Sequence, residues 1–424
     1  MKRIFILAPF CLAVGLGAYG YLTRSDPAAG TAPVVHGAPA TASRVARGEY
    51  LARAADCVAC HTVPGGKPFA GGLAFRLPFG TLYSSNITAD RETGIGAWSD
   101  DDFVRALHDG IRRDGKRLYP AFPYTSYSML SREDVLAIKA YLFSLPTTRQ
   151  ETPQPGLVFP FNQRWAMGFW NAALFRSARF AAAPDKSTEW NTGAYVALAL
   201  AHCAECHTPR NIGFALDRGN ELGGAIVEGW RAPNITADPV HGIGRWTDEA
   251  LYQYLRHGHA PGHGSAGGPM GEAVENSLQY LDPGDTRALI TYLRSVPARA
   301  GADPADVNTK PERMAATPAG LQQGLRLFEG SCASCHQWNG QGTQSQYAAL
   351  LGARSISDPS GRNIVQTLLH GTHMRVADQD VFMPAFAGGL SDADIAQVSN
   401  YVIYQFGGKQ GKVTPGMVAK QRGQ

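Results

Sequence analysis

The sequence has little charge and lacks the usual signatures of a nucleotide-binding or nucleophile-dependent enzyme. Charged residues make up 17% of the 424 residues, and the net charge is only +4. There is no basic stripe with interleaved aromatics, which argues against nucleic-acid binding. No glycine-rich dinucleotide motif, Walker motif or nucleophile motif is present either. The sequence therefore gives no sign of a catalytic domain of its own.

The N-terminus has the features of an export signal. Lys2-Arg3 precedes an uncharged run over residues 4–22. A basic start followed by an apolar run and small residues predicts a cleaved signal peptide, and a run of this length could instead remain as a membrane anchor. We predict that residues 1–24 are such a signal peptide or anchor, that 25–43 form a linker, and that the rest of the chain is exported.

The chain repeats itself. The pentapeptide Asn-Ile-Thr-Ala-Asp at 86–90 recurs at 234–238, and Trp98 recurs as Trp246, each at an offset of 148 residues (86 to 234). A third, more diverged copy lies around Cys332. Repeats of this kind indicate tandem domains.

Each copy begins and ends with a predicted helix. In these segments apolar residues recur at helical spacing, and an acidic residue lies near the start of each closing segment. The predicted opening helices cover 48–55, 193–201 and 320–328, and the predicted closing helices cover 132–145, 285–296 and 391–406.

Six of the seven cysteines form three pairs with the same spacing. Cys11, the seventh, lies in the apolar N-terminal run, where a thiol behaves as a small hydrophobic group. The pairs are Cys57/Cys60, Cys203/Cys206 and Cys332/Cys335, and each is followed directly by a histidine, His61, His207 or His336. Paired cysteines in an exported protein indicate disulfides by default. The same spacing also occurs in thioredoxin-like redox pairs and in half of a zinc site.

The histidines favour a different interpretation, because C-x-x-C-H is the attachment signature of c-type haem. Two thioether bonds fix the porphyrin edge on one helical turn, and the next residue then presents its imidazole to the iron. Histidine accounts for 12 of 424 residues, so three chance placements would have a probability of about 0.03 cubed. The sequence predicts three covalently bound c-type haems with His61, His207 and His336 as axial ligands.

Methionine, the usual second axial ligand in electron-transfer cytochromes, occurs only eight times. In the third copy, Met383 precedes the closing helix and is the predicted ligand. Met374 lies in a Leu-rich stretch that the pattern indicates as helical, so we expect it to pack in the core. In the second copy, Met270 stands alone and is the predicted ligand.

The first copy departs from this pattern. The offset of 148 residues from Met270 leads to Phe122, and the methionine in the window is Met129. We predict Met129 as the ligand. The alternatives are a five-coordinate haem or His108 as the ligand, while Met167 is expected to pack within the aromatic linker.

Some histidines and carboxylates suggest a second metal site. The cluster His257, His259 and His263 lies in a glycine-rich loop, which we expect to line the second haem site rather than to bind a metal. The Asn-Ile-Thr-Ala-Asp segments are interpreted as turns whose side chains satisfy the backbone, with ion binding as the alternative. Four further histidines are expected to be structural or exposed: His108, His241, His370 and His373.

The stretch 147–190 is rich in aromatic residues. It contains Phe159, Phe161, Trp165, Phe169, Trp170 and Phe175. These side chains pack between the first two domains or, alternatively, form a docking surface for a membrane or a partner subunit.

These features resemble class I cytochrome c domains, each with an opening helix, C-x-x-C-H, a methionine ligand and a closing helix. The whole chain is similar to the triple-haem cytochrome c subunits of membrane-bound bacterial dehydrogenases for alcohols, aldehydes or gluconate. The segments that carry the similarity are 118–124, 159–162, 268–270 and 383–386, and it extends over about residues 44–407.

The resemblance implies an all-α chain of three tandem class I cytochrome c-like domains. Their predicted bounds are 44–146, 191–300 and 318–407, with an aromatic linker over 147–190, a polar linker over 301–317 and a tail over 408–424.

The resemblance also implies a role in electron transfer. Such a subunit accepts electrons from a catalytic subunit, which is a quinoprotein, a flavoprotein or a molybdenum hydroxylase. It passes them to ubiquinone or a terminal oxidase at the periplasmic side of the inner membrane, and it is not catalytic by itself. Two different roles stay open: a soluble periplasmic electron shuttle, and a haem enzyme with an open first haem, which would also need acid/base groups.

Overall fold

The computed structural model describes residues 33–39, 41–300, 314, 316–342 and 345–423. The predicted signal peptide or anchor lies outside these residues, as do residues 25–32 and 40 of the first linker and most of the linker 301–317. Within the described residues, no helix combines the length and apolar character needed to cross a membrane.

Three pairs of packed helices frame the protein, and they confirm the six predicted helices. The opening helices are Arg44–Ala54, Thr188–Tyr195 (continued by a π-helical turn, Val196–Leu200) and Gln322–Ser331, and the closing helices are Arg132–Ser144, Pro283–Ser295 and Asp392–Gly407. Each closing helix has a capping side chain: Ser131 accepts from the Asp134 amide, Asp282 from Gly284 and Ser391 from Asp394. These caps satisfy amides that have no partner within the helix.

A glycine lies at each crossing of an opening and a closing helix. A Cβ added at Gly48 would lie 1.9 Å from the Ala137 carbonyl oxygen. At Gly193 it would lie 1.8 Å from the Ala288 carbonyl oxygen, and at Gly324 it would lie 2.3 Å from the Gln397 carbonyl oxygen. Only a residue without a side chain permits this approach of the two backbones. The three copies therefore share one helix-packing geometry.

Along the chain, further short helices lie within, between and after these pairs. They are Cys57–His61, Asp100–Asp109, Tyr124–Tyr127, Met167–Leu174, Ala204–His207, Asp248–His257, Pro269–Asn276, Ala333–His336, Arg354–Ser357, Arg362–His370 and Pro415–Arg422. Short 3₁₀ segments occur at Arg164–Ala166, Arg218–Asn220, Leu278–Tyr280, Ala319–Leu321 and Gln346–Ala348.

The expectation of an all-α fold is confirmed only in part, because short antiparallel strands occupy the loops. One sheet contains Ala74–Leu77, Gly80–Tyr83 and Gly156–Leu157. Three hairpins pair Ala225–Val227 with Trp230–Ala232, His259–Ala260 with Gly264–Ser265, and Thr372–Val376 with Gln379–Met383. Glycine-rich stretches between the helices thus become hairpins as well as irregular loops.

Buried apolar residues form two clusters. One combines the first two copies, and the other belongs to the third copy. Met374 and Val376, on a strand of the third copy, belong to the first cluster and are 2% and 1% exposed. Met374 is therefore buried as predicted, but it lies on a strand rather than a helix and packs against the second copy.

Candidate haem sites

Each C-x-x-C-H motif forms a separate short helix after its opening helix. In the first two copies the chain breaks between the helices at a residue with positive φ, +51° at Asp56 and +36° at His202. The break turns the motif helix away from the axis of the opening helix. The two cysteines and the histidine of each motif are thereby presented on about one turn of chain.

The three histidines share one hydrogen-bond arrangement. Nδ1 lies 2.7 Å from the Ser85 carbonyl in His61, 2.6 Å from the Pro233 carbonyl in His207, and 2.6 Å from the Ala348 carbonyl in His336. A carbonyl oxygen only accepts, so Nδ1 carries the proton and Nε2 keeps its lone pair for a metal. Burial also lowers the pKa of each imidazole, which favours this neutral form.

Sequence reasoning did not identify these acceptor carbonyls, although two of them carry a signal. Ser85 and Pro233 directly precede the repeated Asn-Ile-Thr-Ala-Asp segments. In the second copy, Asn234 Oδ1 accepts from the Thr236 amide at 2.8 Å and from its hydroxyl at 2.7 Å. Asn86 makes the same two bonds with Thr88. The interpretation of these segments as turns agrees with the structure, and the turn fixes the carbonyl that orients the histidine.

The six described cysteines form no disulfide bonds with one another. Burial raises the pKa of Cys57, Cys60 and Cys203 to about 12 and that of Cys206 and Cys332 to about 11. A reactive redox pair or a zinc site needs thiolates. Neutral thiols are poor nucleophiles, which does not suit a reactive redox pair.

The third site contains a cavity that is partly open to solvent, with an empty volume of about 500 Å³ that includes the space at its mouth. Cys332, His336 and Met383 all line it, so one predicted attachment cysteine and both predicted axial ligands meet at one space. The remaining lining residues are mostly apolar: Phe328, Leu350, Ser355, Ile356, Ile364, Thr367, Leu368, Val398 and Val402. An apolar cavity with a thioether and an imidazole in its wall fits a haem.

Cys335, the other predicted attachment cysteine of the third site, lies outside this cavity wall and is exposed. Both cysteines nevertheless belong to one turn of chain, because the His336 amide donates to the Cys332 carbonyl at 3.0 Å. Covalent attachment of a haem to Cys335 remains a prediction.

The other two predicted methionines are half-buried against the core of the first two copies. Met270 is the second residue of helix Pro269–Asn276, which follows Gly268 with φ +54°. Met129 follows helix Tyr124–Tyr127, and its carbonyl accepts from the Phe180 amide at 3.0 Å. Their ligation of iron remains a prediction.

His108, the alternative ligand in the first copy, is 3% exposed on helix Asp100–Asp109. Its Nε2 has no hydrogen-bond partner among the described residues. Burial lowers its pKa to about 3, so the imidazole is neutral. His108 is a buried histidine, in agreement with the structural role expected for it, whereas His370 and His373 are exposed.

The first two sites contact each other through Tyr127. Its hydroxyl donates at 2.8 Å to the carbonyl of Ala55, which lies two residues before the first motif helix. Its ring meets the ring of His202, which precedes the second motif, with centroids 5.5 Å apart. The charge of Cys206 also contributes to the raised pKa of Cys60, after burial, the largest cause. The attachment edges of the two sites therefore lie close together.

Binding of a separate metal ion finds no support in the described part of the chain, where no group of three or more histidine, cysteine or acidic side chains is arranged to hold one. His263 instead stacks on Trp246 with centroids 3.8 Å apart, and His259 Nδ1 lies 3.0 Å from the Ser265 hydroxyl.

Comparison with known proteins agrees with the assignment of candidate haem sites. A family model described as cytochrome c matches residues 45–146, 193–297 and 321–404. The chain is 39% identical to the fructose dehydrogenase cytochrome subunit of Gluconobacter japonicus, covering 91% of this chain and 84% of that protein. It is 36% identical to the gluconate 2-dehydrogenase cytochrome c subunit of Pantoea cypripedii, covering 89% of each chain.

A longer relative is a nicotinate dehydrogenase subunit of Pseudomonas putida, which is 39% identical over 94% of this chain, and this chain spans 33% of that protein. A cytochrome c domain implies covalently bound haem, and the C-x-x-C motifs at 57–60, 203–206 and 332–335 lie in the three matched segments. This chain belongs to the cytochrome c family, with relatives that are cytochrome subunits of dehydrogenases.

Proposed function

We propose that this chain is the electron-transfer subunit of a dehydrogenase complex and carries three covalent c-type haems. It accepts electrons from a catalytic subunit and passes them to ubiquinone or a terminal oxidase at the periplasmic side of the inner membrane. The observation that carries the proposal is the recurrence of one arrangement, in which the histidine of a C-x-x-C-H helix donates its Nδ1–H to a backbone carbonyl.

The residues of each site have separable roles. A c-type haem, when bound, supplies a one-electron ferric/ferrous couple. The cysteines would hold it covalently, and the carbonyl partner fixes the orientation of each histidine ring, which leaves Nε2 free to bind the iron. A methionine thioether as second ligand favours the ferrous state and closes the metal to substrates. The position of Met383 in the cavity wall with His336 supports this role for it.

The packing of the copies supports transfer between the sites. Helix Pro269–Asn276, which carries Met270, contacts the first motif helix Cys57–His61 and also strand Thr372–Val376 of the third copy. One eight-residue helix therefore touches elements of all three copies. Such contact keeps the sites in fixed relative positions, as a relay requires.

The dehydrogenase partner is proposed from the relatives, whose names describe cytochrome subunits of fructose and gluconate dehydrogenases. The catalytic subunit would be a quinoprotein, a flavoprotein or a molybdenum hydroxylase. Because that subunit carries the substrate chemistry, this chain needs no catalytic groups of its own.

Purification of the tagged full chain from membranes in mild detergent tests the proposal. We expect a catalytic dehydrogenase to co-purify, its substrate to reduce three haems per chain, and a ubiquinone analogue to reoxidise them. Recovery of the chain alone from the soluble fraction would indicate a shuttle. Rapid binding of carbon monoxide by one haem would indicate a haem enzyme instead.

A matched pair of variants links the activity to the sites. His207→Ala should remove one component from the redox titration, because the second site loses its imidazole. His370→Ala, at an exposed histidine, should leave the titration unchanged. A normal three-component titration in His207→Ala would contradict the site assignment.

A further inference from the structure

Helix Met167–Leu174 in the aromatic linker buries a polar side chain and exposes apolar ones, the reverse of an ordinary surface helix. Its one buried residue is polar: Asn171 is 5% exposed and accepts from the Tyr124 hydroxyl at 2.7 Å. Phe169 and Leu174 face outward and are 72% and 41% exposed, whereas Met167 and Trp170 are half-buried. A surface helix normally buries its apolar stripe. This helix instead uses a polar anchor and leaves aromatic surface uncovered.

The exposed aromatic surface continues beyond the helix. We call it the aromatic face, and it consists of Phe159, Phe161, Trp165, Phe169, Ile212 and Phe214, which are 77%, 37%, 67%, 72%, 103% and 46% exposed. Exposed apolar side chains scattered singly are ordinary, whereas a contiguous group marks an interaction surface.

Ring contacts and one hydrogen bond make this face continuous. Phe79 stacks on Phe161 with centroids 4.2 Å apart and meets Phe214 edge-on at 5.4 Å. Trp165 contacts Phe169 with centroids 6.0 Å apart. The Trp170 indole donates to the Gly213 carbonyl at 2.7 Å, which ties the helix to the loop that carries Ile212 and Phe214.

A basic loop lies at the edge of the aromatic face. Residues 112–117 contain four cations and one acid, a net charge of +3. The side chains of Arg113 and Lys116 are 56% and 64% exposed. Arg164 joins the loop to the face: its guanidinium donates to the Arg117 carbonyl at 3.0 Å and lies over the Tyr119 ring, 4.8 Å from the centroid.

Aromatic side chains beside lysine and arginine match the chemistry of a membrane surface. Trp and Phe partition into the headgroup region, while cations are attracted to anionic lipids. We propose that the aromatic face, with the basic loop at its edge, docks this chain on an anionic phospholipid bilayer. This inference rests on the membrane-side location in the proposed function, and it adds the surface that makes the contact.

The docking orientation would bring the first site toward the bilayer. The Tyr119 hydroxyl donates to the Phe161 carbonyl at 2.8 Å, and Tyr124 binds Asn171, so the loop that leads to Met129 rests directly against this face. A lipid-soluble electron acceptor would therefore meet the first copy before the third.

Vesicle binding by the purified full-length holoprotein tests the proposal. We expect stronger binding to vesicles of phosphatidylcholine with phosphatidylglycerol than to phosphatidylcholine alone. Trp165→Ser/Phe169→Ser should reduce binding by about tenfold or more, because both side chains lose apolar area buried in the interface. Trp338→Ser/Phe382→Ser, which alters exposed residues of the third copy (54% and 71% exposed), is the matched control and should bind normally.

Charge variants separate the electrostatic contribution. Arg113→Gln/Lys116→Gln should weaken binding to the anionic vesicles by about fivefold per charge, with little effect on neutral vesicles. Arg326→Gln/Lys420→Gln, at exposed positions of the third copy and of the C-terminal tail, should have a smaller effect. Added salt should abolish the difference between the two lipid compositions.

Hydrogen exchange locates the contact independently of the N-terminal apolar run. Anionic vesicles should protect amides over 158–175 in the wild type and not in Trp165→Ser/Phe169→Ser. Equal vesicle binding by wild type and this variant, with no protection, would overturn the proposal. The proposal would also be overturned if Trp165→Ser/Phe169→Ser still bound vesicles but no longer co-purified with the dehydrogenase, because the aromatic face would then be a protein interface. Reduction of the haems by the partner in detergent should be normal in every variant, so failure of docking is distinguishable from failure of the proposed function.

Discussion

Tyr195, on the opening helix of the second copy, donates its hydroxyl to Asp134 Oδ2, on the closing helix of the first copy, at 2.6 Å. The reverse contact also exists, because Tyr50 of the first copy donates to Asp285 Oδ2 of the second at 2.6 Å. Both carboxylates are fully buried. The two copies therefore join through a self-complementary interface, as in a two-fold symmetric dimer, and the repeat in the sequence becomes a repeat in space.

Removing one of these hydroxyls should destabilise the joined copies. Tyr195→Phe leaves the buried Asp134 without one of its donors, and we expect the free energy of unfolding of the holoprotein to fall by about 1–3 kcal/mol. Denaturant titration measures this change. Tyr280→Phe, at a ring that is 46% exposed, is the control and should be near neutral. Equal stability of the two variants would mean that the hydroxyl of Tyr195 contributes nothing.

The glycines at the helix crossings offer a second test of fold. In Gly193→Ala, the new methyl group would lie 1.8 Å from the Ala288 carbonyl oxygen, so the helices must separate. We expect a loss of more than about 2 kcal/mol. Gly330→Ala is the matched control, since this helical glycine has open space around it and alanine favours a helix. A stable Gly193→Ala protein would contradict the packing at this crossing.

The sequence was sufficient to predict the features that depend on neighbouring residues in the chain. The helix pairs follow from apolar periodicity and caps, and the motif helices from C-x-x-C-H. The carbonyl partners of the histidines could not be predicted, because Ser85 and Pro233 lie 24 and 26 residues after His61 and His207. Met374 was assigned to the wrong element, because the apolar run hid the end of a helix at Gly371, where φ is +71°.

The asparagine turn should tune the second site. In Asn234→Ala, the turn loses both bonds to Thr236, and the Pro233 carbonyl is held less firmly against His207. A weaker Nδ1–H···O bond makes the imidazole a poorer donor to iron, so the reduction potential of the second haem should rise. A spectroelectrochemical titration measures it. Asn220→Ala, in an exposed turn, is the control, and an unchanged potential in Asn234→Ala would exclude this role.

His108 should make the protein sensitive to acid. Its pKa falls to about 3 through burial, against about 6.5 in an unfolded chain. The unfolded state therefore takes up a proton first, and stability decreases as the pH falls from about 6.5 toward 3, by up to about 1.4 kcal/mol per pH unit. His108→Leu should flatten this dependence in denaturant titrations at several pH values, whereas the exposed His370→Leu should not. A changed visible spectrum in His108→Leu would instead support His108 as an iron ligand.

Met383 and Met374 are nine residues apart in the sequence (374 to 383), but their alanine variants should differ. Met383→Ala should change the haem properties, whereas Met374→Ala should change the stability of the fold. Met383 and His336 both line the cavity of the third site, so Met383→Ala should lower the reduction potential of the third haem and open a coordination position. Met374 is 2% exposed in the core of the first two copies, so Met374→Ala should cost about 2–5 kcal/mol of stability and leave the potential in place. Redox titration together with carbon monoxide binding distinguishes the two variants. A lower potential in Met374→Ala and not in Met383→Ala would reverse the ligand assignment.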